Sequence, residues 1–203
     1  MENNDMHGHH LSISATGDKV SSPNDLATLF NEVRPARLVL RRLRPTDGPA
    51  MFAVHGDPAT YHYSPRALSP ATPHPDLATS EEMLRSCLHD WETYGFGYWA
   101  AILAQEEKII GFGGVENRVW RDRDVLNLYY RFTPSAWGHG YATELAKTAV
   151  ALAREHLPQW PVIARTRSQN IASIRTAERA GLLRRPDLDT EHIVFALGWD
   201  TRR

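Results

Sequence analysis

Two glycines one residue apart mark the stretch of the sequence most suited to binding a ligand. Gly138 and Gly140 lie in PSAWGHGYATE (134–144), where a strand-like pattern stops and a helix-like pattern begins. The start of a helix presents free backbone N–H groups and the positive end of its dipole, and glycine lets a ligand approach that backbone closely. The pattern predicts a phosphate-binding turn, although a tight turn that needs glycine only for its dihedral angles fits the same letters.

Three classes of phosphate-binding turn can be compared with these residues. A P-loop requires G-x-x-x-x-G-K-[ST], and Lys147 lies too far along the following helix to serve. A dinucleotide-binding fold requires glycine or alanine at the third position, which is Thr143 here, and it is not preceded by three antiparallel strands. The third class is the CoA pyrophosphate turn of an acetyltransferase.

Two other groups of side chains have plainer explanations. The single cysteine, Cys87, falls on the apolar stripe of a predicted helix, which favours a buried structural thiol over a nucleophile. His7–His10 could bind a metal, but they lie in a polar segment that is typical of a flexible tail. We therefore expect no metal site.

The composition of the 203 residues is that of a globular protein, with 42% hydrophobic residues and a net charge of -1. No charge excess indicates nucleic-acid binding, and no apolar run is long enough to span a bilayer. One cysteine and no visible secretory signal favour the cytoplasm. We expect a polar, flexible segment over residues 1–34, with a short helix near 25–33, followed by one domain over 35–203.

The hydrophobic periodicity predicts the order β-α-α-β-β-β-α-β-α-β, a mixed α/β (α+β) domain. The runs GYWAAILA (97–104), KIIGFGGVE (108–116) and DVLNLYYRF (124–132) form an antiparallel meander. The helix after the glycine turn ends before Pro158, and Asn170 caps the next helix.

LNLYYRFTPSAWGHGYATELA and NIASIRTAERAGL together resemble the GNAT (GCN5-related) N-acetyltransferases, most closely the branch that includes ribosomal-protein N-terminal acetyltransferases. The resemblance covers about residues 36–199. The first motif is matched by Tyr130, Phe132, Pro134, Trp137, Gly138, Gly140, Ala142, Thr143 and Glu144, and the second by Asn170, Ser173, Glu178, Arg179 and Gly181.

The resemblance implies a single domain whose mixed sheet, flanked by helices, splays open between the fourth and fifth strands. It also implies acetyl-CoA as co-substrate, with its pantetheine arm along the fourth strand and its pyrophosphate on the glycine turn. The cofactor-binding residues that it implies are Tyr130, Arg131, Phe132, Thr133, Trp137, Gly138, His139, Gly140, Tyr141, Ala142, Thr143, Asn170 and Ser173.

The usual acid and base of this family are missing from the matching positions. Asn127 stands where many members have a glutamate base, and Ala177 stands where many have a tyrosine acid. Ser173 is the expected proton donor to the thiolate, and Glu116, at the end of the third meander strand, is the expected base, acting through water. With little acid–base help, an amine of low pKa is the favoured acceptor, such as an α-amine with a pKa of about 8.

The leading hypothesis is transfer of an acetyl group from acetyl-CoA to a primary amine of a protein N-terminus or a small molecule. An inactive acyl-CoA-binding regulatory module and a nucleotide-dependent enzyme remain as alternatives, and the strands leave a homodimer open. We expect the acceptor among the proline-rich loop 57–79, Trp120 and the loop 184–192. Acids of the latter loop (Asp187, Asp189 and Glu191) could attract a cationic amine, although ordinary solvated charges explain them equally simply.

Overall fold

The computed structural model of the protein describes residues 22–61 and 72–200. His7–His10 and part of the proline-rich loop lie outside these ranges. The helices of the described residues are α1 (Pro23–Phe30), α2 (Gly48–His55), α3 (Leu77–Tyr94), α4 (Tyr141–His156) and α5 (Ile171–Arg179). The strands are β1 (Glu32–Val33), β2 (Leu38–Arg42), β3 (Tyr98–Leu103), β4 (Lys108–Trp120), β5 (Arg123–Phe132), β6 (Val162–Thr166), β7 (Leu183–Arg184) and β8 (Ile193–Leu197).

The strands form one mixed sheet in the order β1-β2-β3-β4-β5-β6-β8-β7. Strands β3, β4 and β5 pair antiparallel, which confirms the predicted meander. Among the strand pairs of the described residues, β5 and β6 alone run parallel, and α4 joins them as a crossover helix. None of the described helices combines the length and apolar composition needed to cross a bilayer.

The sheet opens between β5 and β6, the fourth and fifth strands of the predicted order. Pairing between them is limited to Leu126 with Val162 and Asn127 with Ile163. Beyond that point β5 continues to Phe132 and β6 to Thr166 without pairing to each other. The predicted splayed α/β fold is therefore present, and its opening faces the start of α4.

Each face of the sheet carries its own core because successive side chains of a strand point to opposite sides. On one face Leu126, Leu128 and Phe132 of β5 join the larger core, which includes buried residues of α1 and α4. On the other face Tyr98, Phe112 and residues of α2 and α3 form a second core. Cys87 of α3 is buried in this second core, as its position on the apolar stripe predicts.

Two differences from the predicted elements bear on the site. Strand β4 runs on to Trp120, so Glu116 lies inside the strand rather than at its end. The strand is longer because Arg121 and Asp122, both with positive φ, make a two-residue hairpin turn. Residues 22–34, expected to belong to a flexible segment with a short helix, form α1 and β1. Phe30 of α1 is fully buried in the larger core.

Candidate active site

The glycine turn leaves the backbone bare at the start of α4. Gly138 and Gly140 have φ angles of 78° and 80°, a conformation that side chains disfavour. A Cβ at Gly138 would meet nothing within 4 Å. The first hydrogen bond of the helix runs from Glu144 N–H to the Gly140 carbonyl, so the preceding N–H groups have no acceptor within the helix. These N–H groups include those of Tyr141, Ala142 and Thr143.

Arg37, just before β2, holds this turn in place. Its main-chain N–H and its Nε donate to the two carboxylate oxygens of Glu144 at 2.7 and 2.8 Å. Its Nη1 donates to the carbonyl of His139, between the two glycines, at 2.8 Å. The guanidinium also lies over the ring of Tyr141, 4.7 Å from its centre. The turn therefore has a fixed shape before any ligand arrives.

The open edge of β5 supplies unpaired main-chain groups beside the turn. Leu126 N–H bonds to the carbonyl of Pro161, so the main-chain groups of Leu126 point toward β6. By strand alternation, those of Leu128 and Tyr130 also point into the opening, where no strand accepts them. The Phe132 carbonyl accepts from the indole of Trp137 at 2.9 Å, which fixes that exposed side chain.

Not every main-chain group predicted at the end of β5 is free. Thr133 N–H donates to the Ile110 carbonyl at 2.9 Å. The main-chain groups of Arg131 point toward its partner Phe112 on β4. The N–H groups that face the opening are those of even-numbered residues. A donor for the oxyanion of an acyl transfer is therefore expected from Tyr130 or Phe132.

Two hydroxyl groups meet at the same opening, that of Ser173 on α5 and that of Tyr130 on β5. Asn170 caps the helix, as predicted, by accepting from Ser173 N–H at 3.1 Å. The Ser173 hydroxyl lies 2.9 Å from the Tyr130 hydroxyl. Burial raises the pKa of Tyr130 to about 12, so this hydroxyl keeps its proton at neutral pH. Ala177, at the position of the usual tyrosine acid, is buried and has no hydroxyl. The Tyr130 hydroxyl contacts the same helix, where it donates to the Ser173 carbonyl.

A buried acidic cluster occupies the opposite face of the sheet. Glu116 and Asn127 are directly paired across β4 and β5, so their side chains share that face. Asn127 Nδ2 donates to the Tyr98 hydroxyl at 2.9 Å. Glu116 Oε1 lies 2.7 Å from Arg118 Nη2, which also bonds to Asp90 of α3. Glu116 Oε2 is buried and has no hydrogen-bond partner among the described residues.

This environment raises the pKa of Glu116 from 4.5 to about 7. Burial is the largest cause, because it disfavours the charged carboxylate, and the Asp90 carboxylate acts in the same direction. The Tyr98 hydroxyl and the Arg118 guanidinium oppose the change by stabilising the ionised form. A carboxylate with a pKa near the working pH is suited to accept and release a proton.

Two of the three acids of the loop 184–192 are already paired with arginines, whereas Glu191 is exposed and has no ion pair among the described residues. Asp187 accepts two hydrogen bonds from Arg185, and Asp189 is paired with Arg184 and accepts from Val194 N–H. These pairings lower the pKa of both carboxyl groups. The two aspartates are therefore structural charges of the loop, in agreement with the plainer of their two explanations.

The predicted residues thus fall into two groups on the two sides of β5. The turn, the open edge of β5 and the Asn170–Ser173 helix start are adjacent, whereas Glu116 lies on the opposite face. Sequence reasoning missed Arg37 and the polar partners of Glu116, namely Tyr98, Asp90 and Arg118. The spacing of Glu116 and Arg118, two residues apart on one strand, was the available sign of that pair.

Comparisons with known proteins agree with this architecture. The family model described as "Acetyltransferase (GNAT) domain" matches residues 37–183. An acetyltransferase from Agrobacterium tumefaciens str. C58 superposes with a TM-score of 0.65 at 24% identity, covering 94% of this chain and 99% of its own. At this identity the likeness shows a shared fold.

Two further solved structures share the fold. The ribosomal-protein-S5-alanine acetyltransferase from Vibrio fischeri has a TM-score of 0.63 at 13% identity, covering 82% of this chain and 95% of its own. The spermidine N-acetyltransferase from Vibrio cholerae, solved with CoA and spermine, has a TM-score of 0.59 at 18% identity. Its match covers 79% of this chain and 93% of its own.

Proposed function

This chain belongs to the GNAT acetyltransferase family, and on that premise we propose that it transfers an acetyl group from acetyl-CoA to a primary amine. The amine attacks the thioester carbonyl directly, and the reaction passes through a tetrahedral intermediate. The observation that carries the proposal is Glu116: a buried carboxylate with a pKa of about 7 and one oxygen without a partner among the described residues, on β4 directly opposite Asn127, where β5 and β6 part.

The chain offers a fitting cradle for the acyl donor. The positive-φ glycines and the free N–H groups at the start of α4 suit a pyrophosphate, whose charge the helix dipole also favours. The unpaired main chain of Leu128 and Tyr130 suits the amides of a pantetheine arm, which can add to β5 as a further strand does. We expect no covalent acyl-enzyme at Cys87, because burial raises the pKa of its thiol to about 12 and keeps it protonated.

The proton of the amine goes to Glu116. Because Oε2 is buried, we expect the transfer to run through one bridging water. As the C–N bond forms, a main-chain N–H of the open edge stabilises the oxyanion, a contact worth about 10²–10³ in rate. The Tyr98 hydroxyl and the Arg118 guanidinium hold the carboxylate in position.

Collapse of the intermediate breaks the C–S bond and releases a thiolate. The hydroxyl groups of Ser173 and Tyr130 are 2.9 Å apart and can donate hydrogen bonds to this sulfur. The raised pKa of Tyr130 means that its hydroxyl stabilises the thiolate rather than fully protonating it, with the final proton coming from solvent. We keep Ser173 of α5 in the proposed site as a hydrogen-bond donor to the thiolate, alongside Tyr130.

The test is release of CoA, followed with a thiol reagent, in the presence of acetyl-CoA and a panel of primary amines. We expect amine-dependent release that Glu116→Gln reduces while acetyl-CoA binding, measured by calorimetry, is retained. The competing hypothesis of a non-catalytic acyl-CoA-binding module, which the absence of the usual base at Asn127 favours, predicts binding without any amine-dependent release.

A further inference from the structure

A single nitrogen of Arg118 holds two buried carboxylates together on the face of the sheet that carries Glu116. Nη2 of Arg118 lies 2.7 Å from Glu116 Oε1 and 3.2 Å from Asp90 Oδ2. Both acids are buried. We infer that Asp90 is a positioning residue of the reaction, which shares one proton with Glu116 across the Arg118 guanidinium and passes that proton on to solvent; this rests on the proposed function.

Asp90 belongs to this cluster because of its place on α3. It follows Cys87 by three residues, so the two side chains share the side of the helix that packs on the sheet. Glu116 and Arg118 share a face because they lie two residues apart on β4. A carboxylate on the inner side of a helix costs stability unless it is paired, and Arg118 supplies the pairing.

The acids outnumber the cation in this cluster. When both carboxylates are ionised, two negative charges face one guanidinium, and burial penalises the uncompensated charge. One proton on the pair removes that penalty. Burial is the largest cause that raises the pKa of Glu116, and the Asp90 carboxylate adds to it by its charge and by a side-chain hydrogen bond. The two carboxyl groups therefore lie within hydrogen-bonding reach and titrate as a coupled pair.

The other groups that face Glu116 cannot take its proton at neutral pH. Burial raises the pKa of Tyr98 on β3 well above its usual 10 and the pKa of Cys87 on α3 to about 12, so both keep their own protons. Asn127 on β5 offers an amide, which does not titrate. Arg165 on β6 interacts electrostatically with Tyr98 and is itself a cation. Of the described residues around Glu116, the acid of α3 is therefore the one that can receive the proton.

The cluster becomes more exposed from Glu116 toward Arg118. The side chain of Glu116 is 5% exposed, that of Asp90 12% and that of Arg118 43%. A proton received at the buried Oε2 reaches Asp90 when the Glu116 carboxyl group rotates about its terminal bond, whose torsional preference is broad. The O–H bond of Glu116 then breaks as an O–H bond forms on Asp90, which releases the proton to water. Glu116 is left ionised for the next amine.

Two substitutions remove charges of opposite sign from the cluster. Asp90→Asn removes a negative charge at almost unchanged size, and Arg118→Gln removes the positive charge. Asp124→Asn on β5 and Arg85→Gln on α3 change exposed residues in the same way and serve as matched controls. One readout is the pH dependence of kcat/KM for acetyl transfer to the best amine of the panel. The other is the titration of the Glu116 carboxyl carbon by 13C NMR in ligand-free protein, assigned with Glu116→Gln.

We expect Asp90→Asn to move the ionisation of Glu116, and the rising limb of kcat/KM with it, to lower pH by about one unit, because a like charge is removed. Arg118→Gln should move both to higher pH by about one unit, because the stabilising cation is lost. Above the limb, Asp90→Asn should lower kcat about tenfold, because the onward proton acceptor is missing, and Asp90→Glu should recover part of that loss. Both controls should keep the wild-type values.

The two readouts separate the inference from the function on which it rests. An unmoved Glu116 titration in folded Asp90→Asn protein, displacements of the same sign in both variants, or a wild-type kcat above the limb in Asp90→Asn would overturn the inference alone. If Asp90→Asn does not fold, Arg118→Gln still tests the sign, and a displacement to lower pH would overturn the inference. A Glu116 titration that moves as expected while the limb of kcat/KM stays in place would instead show that Glu116 is not the base, and no turnover with any amine would overturn the proposed function.

Discussion

Arg37 and Glu144, 107 residues apart in the sequence, are joined by two hydrogen bonds that place the start of β2 against the first turn of α4. The same guanidinium also holds the His139 carbonyl between the two glycines. The shape of the turn therefore depends on a residue that lies far outside the glycine motif.

Replacing Arg37 with Gln should weaken acetyl-CoA binding without removing it. The variant loses the hydrogen bonds from Nε and Nη1 and the ion pair of Nη2 with Glu144 at 2.8 Å, but it keeps the main-chain bond to Glu144. Each lost hydrogen bond is worth about 0.5–1.5 kcal/mol. We expect Kd, measured by calorimetry, to rise roughly three- to tenfold. Arg34→Gln, which removes an exposed pair with Glu32, is the control and should leave Kd unchanged. An unaltered Kd in the Arg37 variant would show that the turn keeps its shape unaided.

Adding a side chain at Gly140 should damage the cofactor site more than removing one at His139. Gly140→Val forces a β-branched residue into a φ of 80°, a strain of about 1–3 kcal/mol, and its Cβ would lie 3.6 Å from Arg37 Nη2, so that the branch crowds this guanidinium. We expect acetyl-CoA affinity to fall at least tenfold. His139→Ala has no positive φ to satisfy and should bind within about threefold of the wild type, since only a ring stacked on Tyr141 is lost. Equal losses in both variants would argue against the close approach of a ligand to this backbone.

Glu116→Gln should lower kcat by about 10²–10³ and leave acetyl-CoA affinity unchanged, because the base is lost while the cradle is intact. In the wild type, kcat/KM should rise with pH through about 7 as the carboxyl group ionises. The variant should lose that ionisation from its pH profile. Glu92→Gln, on the exposed side of α3, is the matched control. A pH profile with the same limb in both proteins would assign the ionisation to another group.

The same substitution should stabilise the fold at high pH. The pKa of Glu116 is raised on folding, so its contribution to stability is complete below about 4.5 and is lost as pH rises to about 7. The amide stays neutral at every pH. The variant should therefore melt higher than the wild type at pH 8, by about 2–4 °C for each kcal/mol of relief, and close to it at pH 4.5. Differential scanning calorimetry at the two pH values measures this, and a lower Tm of the variant at pH 8 would contradict the raised pKa.

His55 should make the fold sensitive to mild acid. Burial, with the Arg131 charge as a smaller cause, lowers its pKa from 6.5 to about 3. Stability is therefore complete above about 6.5 and is lost as pH falls toward 3, by about 2 kcal/mol between pH 6.5 and 5. Urea unfolding at pH 7 and pH 5 should show this loss, and His55→Gln should reduce it. An equal loss in the variant would assign the acid sensitivity to His74 or His192, whose pKa values are also lowered.

Local patterns predicted the elements that local forces determine. The antiparallel meander follows from three alternating runs separated by short polar turns, and the Asn170 cap follows from one side chain at a helix start. The turn at Arg121 and Asp122 escaped prediction because both adopt positive φ without being glycine or asparagine. The predicted strands therefore left a seven-residue break, 117–123, where the chain makes a two-residue hairpin turn.

The site itself was only half predictable, for a different reason. The cofactor side depends on glycines and a helix start that adjoin one another in the sequence. The acceptor side depends on contacts between distant elements, such as Arg118 with Asp90 and Arg131 with Thr60. No periodicity reports that Glu116 is buried from solvent, and that burial is what raises its pKa.

The alternation of β5 has a consequence for how such an enzyme can diversify. Under the proposed function, even-numbered residues from Leu128 to Phe132 belong to the donor side, and odd-numbered residues from Asn127 to Arg131 belong to the acceptor side. Exchanging odd-numbered side chains can change which amine is used while the donor cradle stays as it is. Inserting or deleting a single residue in this strand would move every following side chain to the opposite face of the sheet, so that the two sets would exchange their roles. New specificities should therefore arise here by substitution, and length changes should be confined to the loops.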